Sequence, residues 1–381
     1  MTMVDDMTDS HVRAVRTLLR QAPLIDGHND LALALLEQGH DPDDGIDRLP
    51  APFHSGLARL RAGKVGAQVW TVFRDAELRG EHAVIAALEQ FDRIHRMIAR
   101  HPERTELVTR ADRLEEVFAA GKLASLIGVE GGHLIGGSLS TLRTFARLGM
   151  RYLGLTHNLS HDWADSATDG ALHGGLSSFG ARVVRELNRL GVLVDLAHAA
   201  ESTGFDALAV SDAPVIVSHG NAKALCPHPR NVSDPLASAI AASGGVVMVT
   251  FVPYFLTPES ARWSRRLIAA HHRLRVLHGR AGLPAALDAW VAQHRPPVVR
   301  LHDVADHLDH FRNLIGAEHV GIGSDYDGVD ALPVGLESPA QLPRLLAELR
   351  LRGWRDDELV AVAGGNFLRV LRSAEAVAAT S

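Results

Sequence analysis

Two residues of different chemistry, His28 and Asp30, close the segment Leu24-Ile25-Asp26-Gly27-His28-Asn29-Asp30. Along a strand, residues i and i+2 share a face, so the imidazole and the carboxylate converge at the end of a short apolar run. Both groups are ligands for a divalent cation such as zinc. Alone, the pair is explained as well by a buried, hydrogen-bonded histidine and an aspartate that caps the next helix. Repetition shifts the balance, because an apolar run followed by a ligand-type residue recurs at least five more times.

The run Leu123 to Val129 ends in Glu130, followed by Gly131-Gly132. Tyr152 to Thr156 leads to His157, Val192 to Ala197 to His198, Val215 to Ser218 to His219, and Val320 to Ser324 to Asp325. One polar residue after a strand is a cap or a turn; six strands ending in ligand or acid/base types point to one shared site. The set exceeds what a single tetrahedral zinc needs and suits two metals, about 3.5–4 Å apart, sharing a carboxylate and a water. A carboxylate must then take the water's proton and pass it to the leaving group, and Asp325, on the last strand, is the candidate. These ligand types also admit manganese or cobalt.

The elements that must position these residues alternate. Apolar strands are expected at 24–27, 67–73, 123–130, 152–156, 192–197, 215–218, 246–251 and 320–324. Helical periodicity marks about 11–20, 80–101, 111–120, 138–148, 178–190, 201–210, 234–242, 338–352 and 356–372. Eight strands joined by helices predict parallel pairing and a closed (β/α)8 TIM barrel, with the active site at the carboxyl ends of the strands. A doubly wound open sheet is the alternative, weakened because no glycine-rich phosphate loop follows the first strand. The expected organisation is one barrel domain over 1–381, with an N-terminal helical arm (1–22). A helical insert is expected at about 258–314, interrupted at Pro284 and Pro296-Pro297. The loop 158–177 is expected to sit over the site.

Bulk properties narrow the partners. With 46% hydrophobic residues the chain has ample material for a large core. A net charge of -6 and no long basic run argue against nucleic acid or an anionic membrane as partner. Cys226 is the only cysteine, which fits a reducing compartment. With no signal-type apolar core near residue 1, the expectation is a cytoplasmic protein held by no membrane.

Together Asp26-Gly27-His28-Asn29-Asp30, Glu130-Gly131-Gly132-His133, Leu155-Thr156-His157-Asn158, Asp195 to His198, Ser218-His219, Arg230-Asn231 and Gly321 to Gly328 resemble the membrane (renal) dipeptidase family of zinc metallopeptidases. The motifs span about 24–328. The resemblance implies an amidohydrolase-type barrel that cleaves dipeptides with free termini, including L-Xaa-D-Xaa, with two Zn2+ per chain and a bridging hydroxide as nucleophile. It implies that His28 and Asp30 bind the first zinc, Glu130 bridges both, and His198 and His219 bind the second. It further implies that His157 binds substrate and stabilises the oxyanion, that Arg230 holds the substrate's free carboxylate, and that Asp325 handles the proton. Family members are often dimers, which makes a homodimer an expectation too. Many related barrels open with His-x-His and bridge their metals with a modified lysine; here strand one carries His-x-Asp and no lysine ends strand three or four. Membrane-bound relatives carry a secretion signal, disulfides and a lipid anchor, so the resemblance is to the soluble bacterial branch.

Most of the 22 histidines must be ordinary. His133 reads as part of a turn, and His271, His272 and His278 as a solvated or subunit-contact face. His161 and His173 lie on the expected lid. Asp327 reads as a turn or supporting carboxylate. Tyr254, Phe255, Trp70 and Trp163 are candidates for the pocket wall, and Cys226 reads as inert. Two rival functions share the metal centre: hydrolysis of N-acyl amino acids or of a pathway-specific amide or lactone, and metal binding without catalysis.

Overall fold

The computed structural model describes residues 3–380. Within them, strands occupy Leu24–Asn29 (β1), Val65–Phe73 (β2), Thr105–Leu107 (β3), Leu123–Glu130 (β4), Met150–Gly154 (β5), Leu193–Asp195 (β6), Ile216–Val217 (β7), Val246–Val249 (β8) and Val320–Ile322 (β9). All ladders are parallel, in the order β1-β2-β4-β5-β6-β7-β8-β9. The ring closes through an isolated bridge between Asn29 and Tyr326, with Asp325 N–H donating to the His28 carbonyl at 3.1 Å. This is the (β/α)8 barrel expected from the alternation of strands and helices.

β3 was not foreseen, being three residues long with a charge at its centre. It fills a gap: β5 begins opposite Ile127, and β3 pairs with the preceding stretch Leu123–Ser125 of β4.

Two joints of the ring have little ladder of their own, and each is riveted by a buried aspartate. β6 and β7 share one register pair; there Asp195 accepts Ser218 N–H at 2.8 Å and its Oγ–H at 2.7 Å. At the β1–β9 closure Asp26 accepts Ser324 N–H at 2.8 Å and its Oγ–H at 2.6 Å. Buried carboxylates are costly unless hydrogen-bonded, and these two spend their acceptors on joining strands. Each serine directly precedes a candidate site residue, His219 or Asp325.

The barrel interior is packed across its axis. Tyr152 on β5 and Met248 on β8 reach β1, and glycines make the room. A Cβ on Gly128 would lie 2.0 Å from Tyr152 Cζ, and one on Gly27 would lie 2.5 Å from Met248 Cε.

The outer helices start and stop where their caps dictate. Ser138 Oγ accepts Thr141 N–H, Ser177 Oγ accepts Gly180 N–H, and Ser233 Oγ accepts Leu236 N–H. Gly191, at φ 65°, ends helix Ser178–Leu190. The insert forms helix Pro258–Gln293, which breaks at Gly279 (φ 64°, ψ −177°) and continues through Pro284. A second helix, Leu301–Ile315, follows Pro296-Pro297. Among the described residues no helix is long and apolar enough to cross a membrane.

Candidate metal centre

Strand ends bring His28, Asp30, Glu130, His157, His198, His219 and Asp325 to one point, almost wholly buried. Glu130 lies at its middle with its two oxygens turned to different neighbours. Oε2 is 3.6 Å from His28 Nε2, which is also 3.5 Å from Asp30 Oδ2 and 4.0 Å from Asp325 Oδ1. Oε1 is 2.8 Å from His198 Nε2, 3.4 Å from His219 Nε2 and 4.0 Å from His157 Nε2. Three overlapping groups, His28–Glu130–His219, Glu130–His157–His198 and His28–Asp30–Asp325, each bring their ligand atoms within 4.8 Å of one another.

The imidazoles are oriented from behind. Tyr152 O–H donates to the Gly27 carbonyl at 3.2 Å, leaving its oxygen to accept from His28 Nδ1 at 3.0 Å. Ser218 O–H is committed to Asp195, so its oxygen accepts from His219 Nδ1 at 2.9 Å. His198 Nδ1 faces Asn158 Oδ1 at 3.2 Å. Each tether holds Nδ1 from behind and points Nε2 into the centre, the orientation in which histidines bind metals. His28 Nε2 and Asp30 Oδ1 are buried there without a hydrogen-bond partner. Nitrogen and oxygen lone pairs converging on one spot fit a divalent cation.

The electrostatics agree. Burial, helped by the Arg230 charge, holds His198 well below its usual range, and burial with His28 and Arg230 does the same for His219. Burial opposes the charge on His28, but Tyr152, Glu130 and Asp30 outweigh it and keep its pKa well above normal. Burial alone would raise Glu130; His28, His198 and His157 hold it well below the carboxylate range. Asp325 goes the other way: burial, only partly offset by His28 and reinforced by Asp30 and Glu130, raises it well above. Two neighbouring carboxylates are thus pushed in opposite directions.

His198 and Asp325 carry φ of 66° and 67°. For residues other than glycine this region costs about 1–2 kcal/mol and persists only where the surroundings enforce it. At His198 they do so through Ala167 N–H, which donates to its carbonyl at 2.8 Å.

Arg230 lies beside the centre, 5% exposed. Its Nη2 donates to the His219 carbonyl at 3.3 Å, and its guanidinium carbon lies 5.5 Å from the centroid of the Phe255 ring. Its Nε is buried without a partner, and burial lowers its pKa to about 10. A cavity of about 250 Å³ adjoins Arg230, bordered by Asp165, Lys223 and Asn231. Another of about 550 Å³ adjoins His157, bordered by Phe73, Arg74 and Glu37.

Other candidates sit elsewhere. His161 Nε2 bonds the Leu155 carbonyl and His173 Nε2 the His161 carbonyl, so both histidines organise the 158–177 loop itself. Asp165 gathers the N–H groups of Leu172, His173 and Gly175 within that loop. His133 bonds the Arg74 carbonyl. Trp70 and Trp163 are core residues, and Tyr254 stacks on Trp263. Burial pushes the Cys226 thiol up to about 11, leaving it unreactive. Sequence reasoning did not single out Tyr152, whose apolar strand context hides its hydroxyl, or Asn158 and Ser218. The last two adjoin His157 and His219 within the quoted motifs, and that adjacency was the signal available.

Comparison with known proteins supplies the relatives. Residues 12–381 match the family model described as membrane dipeptidase (peptidase family M19). Dipeptidase 3 of Mus musculus is 41% identical over 366 residues, covering 94% of this chain and 66% of that protein. Dipeptidase 3 of Homo sapiens is 40% identical, covering 95% and 67%. The chain thus spans about two thirds of the length of these curated relatives. Among solved structures, dipeptidase AC, a metallopeptidase of family M19, aligns with a TM-score of 0.77 at 26% identity, covering 93% of this chain and 98% of its own. A metallopeptidase from Rhodobacter sphaeroides, liganded with a phosphinate mimic of the dipeptide L-Ala-D-Ala, aligns with a TM-score of 0.77 at 25% identity, covering 93% and 99%.

Proposed function

The chain belongs to the membrane dipeptidase family, peptidase family M19, and from that premise we propose that it hydrolyses dipeptides with free amino and carboxyl termini at a binuclear zinc centre. The observation that carries this reading is the placement of Glu130, one oxygen toward His28 and the other toward His198 and His219. A carboxylate so divided can serve two ions at once. His28 and Asp30 would complete the first position, and His198 and His219 the second. When bound, the ions activate a water and polarise the scissile carbonyl.

The remaining steps belong to the protein's own groups. Arg230 has a buried, unpartnered Nε beside the centre, and a planar fork of donors suits a free carboxylate. It anchors the C-terminal end of the dipeptide. His157, neutral because burial lowers its pKa, donates a hydrogen bond to the oxygen that gains charge in the tetrahedral transition state. Asp325, whose Oδ1 lies 4.0 Å from His28 Nε2 at the edge of the centre, accepts the water's proton and returns it to the departing amine. The Rhodobacter sphaeroides neighbour, with its mimic of L-Ala-D-Ala, supports an L-Xaa-D-Xaa preference.

Hydrolysis of a small panel by the zinc-loaded protein tests this. The panel pairs L-Ala-L-Ala with L-Ala-D-Ala and includes N-acetyl-L-Ala-D-Ala. Cleavage of the free dipeptides, and not of the acetylated one, is the expected result. Cleavage of the acetylated peptide alone would replace the dipeptidase by an N-acyl amino acid hydrolase.

A further inference from the structure

Asp325 stands on backbone that L-residues rarely adopt, with φ of 67° at Asp325 and 66° at Asp327. There is no slack beside it. A Cβ added at Gly328 would lie 2.3 Å from both Asp30 Oδ2 and Asp325 Oδ1. Two residues of this turn, on either side of Tyr326, stand in that region, and contacts from outside the turn reach both of its ends.

From one end the Asp26 grip on Ser324 holds the segment. From the other it is held by a loop more than 270 residues away in sequence. The Asp327 carboxylate, its side chain 1% exposed, accepts the backbone N–H of His54 at 2.6 Å and of Ser55 at 3.1 Å. It also accepts the Ser55 O–H. Asp327 N–H donates in return to His54 Nδ1 at 3.0 Å. The exchange is reciprocal, so neither segment can shift alone. Arg59 braces the loop in turn, donating to the carbonyls of Phe53 and Ser55. Tyr326, between the two aspartates, takes Asp30 N–H on its carbonyl at 3.0 Å. The loop after β1 thereby buckles onto the loop after β9, across the closure of the barrel.

We propose that Asp327 and His54 are positioning residues for Asp325: their reciprocal clamp fixes the strained turn that aims the Asp325 carboxylate into the centre. The proposal rests on the reading of Asp325 as the proton carrier. Misplacing a reacting group by about an ångström costs on the order of 100-fold in rate, and removal of supporting groups around such sites typically costs about 10–100-fold.

The test is a double-mutant cycle on L-Ala-D-Ala hydrolysis by zinc-loaded protein, with metal content and Tm measured alongside. Asp327→Ala is expected to lower kcat roughly 10–100-fold, with KM changed by less than about twofold and the metals retained. His54→Phe, which keeps a ring but loses the acceptor, is expected to lower kcat in the same direction by less. On the Asp325→Asn background, Asp327→Ala is expected to cost little more, because coupled residues do not add. Hydrogen exchange at 325–328 should quicken in both single variants. Should Asp327→Ala not fold, His54→Phe and Ser55→Ala carry the cycle. Full kcat in the folded clamp variants, with Asp325→Asn inactive, would overturn the clamp. Equal fold losses on both backgrounds would do the same, since general damage ignores Asp325. Near-full turnover in Asp325→Asn would instead overturn the role of Asp325 itself.

Discussion

His198 and His219 meet Nε2 to Nε2 at 3.1 Å, and behind each ring Nδ1 is held by an oxygen, of Asn158 and of Ser218. Two lone pairs so placed repel unless a cation lies between them and Glu130. His28 differs, because Tyr152, Glu130 and Asp30 raise its pKa against burial. A metal taking that place must displace the proton, so affinity should fall as pH falls.

Tyr152→Phe removes one oxygen and keeps the ring packed against Gly128. With the His28 tether gone, affinity for metal at this position should drop about 10–100-fold. Competition with a chromophoric chelator measures it. Unchanged affinity would assign Tyr152 to packing alone.

Asp325→Asn keeps the size and hydrogen-bonding shape of the side chain and removes its basicity. Turnover should fall by roughly 10²–10⁴, the usual contribution of a positioned acid or base, with bound metal unchanged by elemental analysis. Near-wild-type kcat would exclude the proposed proton transfer.

Arg230→Ala should act on binding. A charge-assisted hydrogen bond contributes about 1.5–3 kcal/mol, so KM for free dipeptides should rise roughly 10–150-fold. For a C-terminally amidated dipeptide the variant and wild type should differ little. Equal losses on both substrates would contradict a carboxylate clamp.

Acid stability has a sign fixed by buried neutral histidines. His307 accepts Ala222 N–H and donates to the Leu256 carbonyl, both at 2.9 Å, and burial pushes its pKa down to about 4. Between about pH 6.5 and 4 the unfolded chain takes up a proton that the folded chain refuses. The contribution is therefore complete above pH 6.5 and is lost as pH falls toward 4, at most roughly 3 kcal/mol for this residue. His133, His161 and His228, also lowered to about 4, act in the same direction. Unfolding of metal-free protein across this range should show stability rising with pH, with a smaller slope in His307→Gln. Identical slopes would remove His307 from the account.

The barrel was legible because apolar runs of the right length alternate with 3.6-periodic segments, and the site because its residues directly follow those runs. The same rule explains what stayed hidden. Tyr152 serves the site from inside a strand, where it reads as core. Asp26 and Asp195 carry no alternation signal and act on serines that follow the neighbouring strands. The partners of Asp327 are set by tertiary closure, and spacing cannot reveal a pair 273 residues apart. Length and polarity hid β3, and the insert helix breaks at Gly279, whose φ of 64° suits glycine, and runs on through Pro284.

The most direct test of the central claim is a zinc titration of metal-stripped protein, following bound zinc and L-Ala-D-Ala hydrolysis together. No turnover without metal, rising to a plateau at two zinc ions per chain, is the predicted result. Full turnover in the stripped protein, or a plateau at one ion, would contradict the binuclear dipeptidase.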